Sequence, residues 1–404
     1  MQPQIELTEY ETWTGSLTAD DASFIASTLS QRITIARRPV GEAFTLNPNQ
    51  FVGVVVLPTQ TTIRCRTKVP VASLFHMLSV AYDLPPEFRP DLTGYAREDE
   101  IVEFVVRYFA GAVERQIENG LYRAYAEQED NLAFVRGRIV FAEDIRRNYV
   151  LRHRIYCRFD EFTWDVIENQ LIRQVVHTLA DWILPDQLRL RFARLDATLD
   201  EISPTSFVSD DIDRVQYHRL NESYRSLHAL CRLFMEAASI SEHPAGIEFQ
   251  SFLIDMNKLF ELFVTKALNA RASVYGMNVL AQESLHLTEG GRVVIQPDLL
   301  VRSHGDLVLA ADCKYKRISI GEFKNHDLYQ LLAYCIATRV ERGLLIYPRH
   351  RADVVATERI RNANIQVRES TMNLSLRPGD LDSECDRLAR EVFEWAAIPA
   401  AAIA

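Results

Sequence analysis

The sequence predicts a multidomain α+β and α/β chain. It has a small N-terminal β-domain over residues 1–90, a mainly helical middle region over 91–240, and an α/β sandwich with a mixed central sheet over 241–395. Three observations predict this. Short β-branched runs separated by breaker residues crowd the N-terminal end. Apolar residues recur at helical spacing through the middle. From about Ile247 onward, helix and strand patterns alternate in the way that builds a layered α/β domain.

In the first region Arg32 to Ala36, Phe51 to Leu57 and Thr61 to Arg66 are β-prone, and Asn47-Pro48-Asn49 and Pro58-Thr59 interrupt them. Leu74, Phe75, Leu78 and Tyr82 then repeat at helical spacing. That helix must end before Leu84-Pro85-Pro86, because the residue preceding a proline is pushed out of the helical region. In the middle region Asp99 to Asn119 carries an apolar stripe through Ile101, Phe104, Val105, Tyr108 and Val113, and Leu132 to Phe141 is short and extended around Gly137. Phe162 to Leu184 and His218 to Ala238 read as amphipathic helices, the second with Leu220, Tyr224, Leu227, Leu230 and Phe234 on one face. In the last region Asp255 to Asn269 and Asp327 to Arg339 read as helices. Tyr275 to Glu283 is extended, Gly343 to Tyr347 is a buried strand, and Thr357 to Val367 is expected to pass from helix to strand.

Bulk properties exclude several classes. The 404 residues are 48% hydrophobic and 25% charged, ordinary for a globular chain. No apolar run approaches the roughly 20 residues that span a bilayer, and the N-terminus lacks an apolar signal core, so the chain is expected in the cytoplasm with no membrane contact. Cysteines at 65, 157, 231, 313, 335 and 385 show no CxxC spacing, which fits free thiols in a reducing compartment. A formal net charge of −10 argues against coating DNA by bulk attraction, so any nucleic-acid contact must be local. One local basic stretch exists: Arg136, Arg138, Arg146, Arg147, Arg152, Arg154 and Arg158 face only Glu143 and Asp144 in that segment. It reads as a solvated face, a phosphate-tracking patch or a docking patch for a partner. No GxxxxGK[ST] loop occurs, so the chain is not expected to hydrolyse nucleotide itself.

The richest stretch is Val293 to Arg317. Val293 to Ile295, Leu299 to Val301 and Leu307 to Ala311 are strand-like, and Ser303-His304-Gly305-Asp306 is turn chemistry. Pro297-Asp298 opens one strand and Asp312-Cys313-Lys314 closes the next, with the two acids 14 positions apart. Residues i and i+2 of a strand share a side, so Asp312 and Lys314 face one place, and a hairpin returns Asp298 to it. Two carboxylates suit a hard cation such as Mg²⁺, and the lysine remains for phosphate: the equipment of metal-assisted phosphodiester cleavage. Glu261 lies on the Asp255 to Asn269 helix among Leu259, Phe260, Leu262 and Phe263; a partly buried acid there calls for a partner or a cation.

This pattern resembles the PD-(D/E)xK nuclease superfamily. Asp255-Met256-Asn257-Lys258-Leu259-Phe260-Glu261, Pro297-Asp298, Asp312-Cys313-Lys314-Tyr315-Lys316 and Tyr329-Gln330-Leu331-Leu332-Ala333-Tyr334 together resemble McrC, the nuclease subunit of modification-dependent McrBC restriction systems. Phe159-Asp160-Glu161-Phe162-Thr163 with Asn169 resembles a further McrC segment, so the likeness runs from about Arg136 to Tyr334. The resemblance implies Mg²⁺ held by Asp298, Asp312 and Glu261 with the main-chain carbonyl of Cys313, and Lys314 holding the attacking water. It implies Gln330 near the metal and Tyr334 near substrate, as in the Gln-x-x-x-Tyr helix of RecB-type nucleases. Lys316 and Arg317 are expected at the DNA backbone or in solvent, with Arg146, Arg147, Arg152 and Arg154 as further phosphate contacts. Asp160, Glu161 and Asn169 are expected to cap a helix and join domains, and His286, His304 and His326 to lie at the surface. The partners implied are modified duplex DNA and a separate McrB-type AAA+ GTPase. Two alternatives stand beside this: a non-cleaving activator of an AAA+ ring, and a free-standing RecB-type repair nuclease.

Overall fold

A computed structural model describes residues 4–38, 43–85, 88, 98–150, 153–182, 184–242, 248–316, 325–349 and 357–397. The chain begins with β1 (Gln4–Thr8), β2 (Trp13–Ser16), α1 (Ala19–Thr28), β3 (Thr34–Arg37), β4 (Ala43–Asn47), β5 (Phe51–Val56), β6 (Thr62–Arg66) and α2 (Val71–Ala81). The middle holds α3 (Glu98–Asn119), β7 (Ala124–Leu132), β8 (Arg138–Ile139), α4 (Phe141–Asn148), β9 (Ile155–Thr163), α5 (Ile167–Ala180), α6 (Asp186–Thr198) and α7 (Tyr224–Ala237). After β10 (Ala238–Glu242) and β11 (Glu248–Asp255) come α8 (Met256–Ala272), β12 (Met277–Ala281), β13 (Leu285–His286), β14 (Val294–Ile295), β15 (Leu299–Ser303) and β16 (Asp306–Cys313). The chain closes with α9 (Asn325–Thr338), β17 (Arg342–Pro348), β18 (Thr357–Arg359), β19 (Gln366–Met372) and α10 (Pro378–Ala397). Among the described residues no helix is long and apolar enough to cross a membrane.

The grouping of these elements differs from the expected division at 90 and 240. Residues 1–102 and 241–404 form one compact unit, and 103–240 form another. The physical reason is β11, which pairs antiparallel with β5 from Gln250 opposite Val56 to Asp255 opposite Phe51. The strand ahead of the expected C-terminal domain thus completes the N-terminal sheet, ordered β1-β6-β5-β11-β10. Gly53 permits the pairing: its φ is +141°, and a Cβ there would lie 2.0 Å from the Phe252 carbonyl oxygen. Ile5, Leu7, Phe24, Ile25, Val55, Ile63 and Leu253 form the core beneath.

In the same unit a six-stranded sheet runs β12-β15-β16-β17-β19-β18. It is mixed: β15 is antiparallel to β12 and β16, β17 is parallel to β16 and β19, and β18 is antiparallel to β19. The β15–β16 turn places His304 at φ +51° and Gly305 at φ +100°, the positive pair a two-residue type I′ hairpin requires. Every residue of β17 is buried, which is why Gly343 to Tyr347 reads as an unbroken apolar run. Gly343 also lets α9 sit close on the sheet, since a Cβ there would stand 2.9 Å from Leu331 and 3.0 Å from the Cys335 sulfur. The α8 helix starts where its own sequence says it should: the Asp255 carboxylate accepts from the Asn257 and Lys258 N–H groups. Thr357 to Val367 differs from the expected helix-to-strand passage. It is a β18–β19 hairpin, turned by Asn362 at φ +61° and closed by Ile360 N–H donating to the Ile365 carbonyl at 2.9 Å.

The second unit packs Phe109 against Phe192 and Phe234, with ring centroids 6.5 and 5.2 Å apart. It also holds a three-stranded sheet, β7-β9-β8, of which the sequence shows only the Leu132 to Phe141 part. The expected Phe162 to Leu184 helix is correspondingly shorter, because β9 runs to Thr163 and α5 starts at Ile167. The cause lies in β7: AYAEQEDNL has no buried residue, so no period-2 apolar pattern marks it. Gly137, at φ +64°, makes the turn before β8, where a Cβ would meet the Arg158 carbonyl oxygen at 2.4 Å. Asp160 and Glu161 lie in β9 rather than at a helix cap, and α5 has no side-chain cap. Asn169 instead bridges within this unit, donating to the Tyr122 and Trp164 carbonyls and accepting from the Tyr224 hydroxyl at 2.6 Å.

Candidate active site

Antiparallel pairing of β15 with β16 sets Leu299 opposite Ala311, so Asp298 at the start of one strand lies beside the Asp312 end of the other. The Cys313 N–H donates to Asp298 Oδ2 at 2.7 Å, which fixes that carboxyl to the hairpin. The backbone stays in the ladder past Cys313, because Lys314 N–H donates to the Ile346 carbonyl at 2.9 Å. Asp312 and Lys314 therefore share a side, and the Lys314 ammonium stands 2.8 Å from Asp312 Oδ2 as an ion pair. Asp312 is fully buried, and its Oδ1 has no hydrogen-bond partner. Glu261 joins from α8, half-buried, with Oε1 accepting from the Gln282 amide at 2.6 Å.

The three acids sit close enough to disturb each other. Burial, then the charges of Asp312 and Glu261, push Asp298 up to about 8, with the Cys313 N–H opposing. Burial and the Asp312 charge raise Glu261 against the Gln282 amide. Burial raises Asp312 despite Lys314. Burial alone would lower Lys314, but the Asp312 and Asp298 charges leave its pKa above the ordinary lysine value, so it is an ammonium at neutral pH. Burial and the surrounding acids raise the Cys313 thiol, which removes it as a thiolate nucleophile. Three carboxyls against one ammonium leave an excess of negative charge, which a cation relieves.

The face of the sheet that carries Asp312 is covered by α9. Asp312 is level with Leu345 of β17, which is level with Glu369 of β19, and the Tyr347 hydroxyl donates up to Asp327 of α9 at 3.0 Å. Gln330 donates to the Tyr334 hydroxyl at 2.6 Å. Burial, then the Asp312 charge, raises the Tyr334 pKa, so this pair belongs to the site's surroundings. Lys316 is engaged by Asp327 at 2.6 Å instead of standing free for phosphate, and Arg317 lies outside the described residues. His286, His304 and His326 are exposed, as expected.

The arginine-rich segment lies in the other unit. Arg146 and Arg147 both bind Glu143, at 2.6 and 2.9 Å. Arg154 donates to the Asn131 carbonyl at 2.7 Å, and Arg152 falls outside the described residues. Two residues escaped the sequence reading. Asp327 lies three positions before Gln330 and seven before Tyr334, one helix face, so spacing could have found it. Gln282 lies in an exposed turn after β12 and carries no such signal.

The residues present fit Mg²⁺. Among the described residues no three His, Cys, Asp or Glu side chains enclose a cation. Mg²⁺ keeps several waters, however, and needs only one or two carboxylates, so Asp298, Asp312 with its partnerless Oδ1, and the Cys313 carbonyl form an adequate set.

Fold and site thus define a mixed-sheet α/β chain with a carboxylate–lysine centre around a buried aspartate on a hairpin and a second unit spliced into its sequence. The family of McrBC 5-methylcytosine restriction system components matches residues 46–348, more than half of the chain, and the chain belongs to that family. The McrC resemblance read from the sequence holds. The type IV methyl-directed restriction enzyme EcoKMcrBC of Escherichia coli K12 is 20% identical over 334 residues, covering 76% of this chain and 93% of that protein. A chain in the half-complex from a tetradecameric assembly of Thermococcus gammatolerans McrB AAA+ hexamers with bound McrC shares the fold. It has a TM-score of 0.57 at 17% identity and covers 96% of this chain and 100% of that one. The Thermococcus gammatolerans McrBC complex also matches, at TM-score 0.43 and 20% identity, over 66% of this chain and 87% of that one.

Proposed function

We propose that this chain is the Mg²⁺-dependent endonuclease subunit of a McrBC-like restriction complex, with the PD-(D/E)xK core in its mixed-sheet region. It acts in the cytoplasm on modified duplex DNA together with an AAA+ GTPase partner. The observation that carries the reading is the Asp298–Asp312–Lys314 constellation around the buried Asp312, in which burial raises both acids and the Lys314 ammonium pairs with Asp312. Asp298 and Asp312 would hold Mg²⁺ with the Cys313 carbonyl, and Glu261 would complete the acidic wall. A cation held by these residues would supply charge neutralisation at the phosphate and a more acidic water. Lys314, kept as an ammonium, orients the attacking water and meets the negative charge that grows on the phosphate. Gln330 and Tyr334 flank the site from α9, with Tyr334 towards substrate. The free-standing repair nuclease is disfavoured because the family match reaches back to residue 46, far upstream of the hairpin. With its GTPase partner the protein should cut modified DNA in Mg²⁺ and stop in EDTA; undiminished cutting in EDTA would sink the reading.

The segment from Tyr125 to Phe162 favours partner docking over phosphate tracking. Its arginines are largely met by Glu143, Glu129 and Glu161, whereas Tyr125, Phe141, Ile145, Tyr149, Val150 and Phe162 are all exposed. Large apolar groups gathered on a surface mark a protein interface, and the ring GTPase is the partner this reading supplies. Replacing Phe141, Ile145 and Tyr149 with serine should abolish co-elution with the GTPase and leave DNA binding unchanged. If the segment tracks phosphate instead, neutralising Arg146, Arg147, Arg152 and Arg154 will shrink the log-affinity versus log-salt slope by about 0.9 per lost contact while co-elution persists.

A further inference from the structure

We propose that Gln282 is a positioning residue for the acidic site: its amide holds one oxygen of Glu261, so that the other is presented beside Asp298 and Asp312. This rests on the divalent-cation reading above and adds to it a residue outside the acids and the lysine.

Three hydrogen bonds converge on Gln282. Its Nε2 donates to Glu261 Oε1 at 2.6 Å, its backbone N–H donates to the Asp298 carbonyl at 3.2 Å, and its own carbonyl accepts from Gln296 Nε2 at 2.8 Å. One residue thereby ties α8, the end of β12 and the start of β15 together at the point where their acids meet. Its backbone lies at φ +49°, a region that residues with a Cβ seldom occupy. The side chain is exposed, so burial does not offset that strain; the hydrogen bonds to Glu261 and Asp298 are what the conformation gains. Strain held at a residue that bonds the Glu261 carboxylate and the Asp298 main chain points to pre-organisation of the site. The chemistry also fits glutamine. A carboxylate that ligates a cation is commonly oriented by a neighbouring donor, and a neutral amide does so without cancelling the charge as a lysine would. Asparagine is a methylene shorter, and glycine supplies no donor.

The test compares full-length wild type with Gln282→Ala and Gln282→Gly, using Mg²⁺ alone as the probe. Binding is read by calorimetry and folding by thermal melts in EDTA; the Mg²⁺ requirement for cleavage is read with the GTPase partner present. Both variants should bind Mg²⁺ about 10- to 100-fold more weakly. Cleavage at saturating Mg²⁺ should stay near the wild-type rate. The glycine variant should melt in EDTA no lower than wild type, since glycine takes the positive φ without strain; a purely structural role would not combine sound folding with lost affinity. If the alanine variant fails to fold, the glycine variant decides. Wild-type or tighter Mg²⁺ binding in a folded variant overturns the positioning role and leaves the cation reading standing. Failure of the wild type itself to bind Mg²⁺ overturns both.

Discussion

Lys314→Ala and Asp312→Ala should each lower DNA cleavage by roughly a thousandfold, the upper end of what removing one transition-state charge partner costs in other active sites. The two replacements act on one pair, since the Lys314 ammonium stands 2.8 Å from Asp312 Oδ2. The double variant should therefore be little worse than either single one. Lys314→Arg should not restore activity, because the planar guanidinium is bulkier and cannot place a compact ammonium at the same point. Folding and co-elution with the GTPase partner should survive. Single-turnover cleavage of modified DNA measures the loss, and a Lys314→Ala enzyme that still cuts within tenfold of wild type removes lysine from the mechanism.

Asp298→Asn should have the opposite effect on stability from the one it has on activity. In the metal-free chain the Asp298 carboxyl is pushed up to about 8, chiefly by burial and then by Asp312 and Glu261. An unfolded aspartate ionises near 3.9. Below about pH 4 both states hold the proton and the fold keeps its full stability; between about 4 and 8 only the unfolded chain loses it, so stability falls as pH rises through that window. Asparagine cannot ionise, and its side-chain oxygen can still accept the Cys313 N–H that Asp298 holds at 2.7 Å. In EDTA at pH 8 the variant should be more stable by roughly 2 kcal/mol, allowing for relaxation around a partly buried charge at about 1.4 kcal/mol per pKa unit. Adding Mg²⁺ should stabilise wild type and not the variant. Thermal melts at pH 5 and pH 8, with EDTA or Mg²⁺, check this; a variant that melts below wild type in EDTA at pH 8 contradicts it.

The hairpin was legible because its information is local. Alternation, a His-Gly turn and two acids near strand ends lie within 25 consecutive residues, from Val293 to Arg317. Glu261 was legible from its apolar neighbours, and Gln330 with Tyr334 from one helical turn. What the sequence did not show depends on distant partners. Glu9 accepts the Tyr315 hydroxyl at 3.1 Å and Tyr10 donates to the Tyr315 carbonyl at 2.8 Å, so the residue after the site lysine is moored to the chain's beginning. No pattern in either segment announces the other. The β7 strand was hidden for the opposite reason: with no buried residue it has no apolar alternation to detect, and it forms because β9 offers a ladder along its whole length. The pairing of Lys316 with Asp327 was equally hidden, since its acid belongs to the next helix.

The pairing of β5 with β11 has a consequence for how the chain comes into being. Gly53 meets Leu253, so about 200 residues must leave the ribosome before the first sheet acquires its missing strand. During that interval β5, rich in valine, carries an unsatisfied edge, while residues 103–240, which make up the other compact unit, emerge as one uninterrupted stretch. A nascent chain arrested at residue 240 would present a sticky half-sheet in search of a strand, prone to borrow one from another copy. Cutting this protein between its apparent regions therefore does not separate its functions: the amino-terminal piece is half of a contract whose other signature lies at Glu248–Asp255.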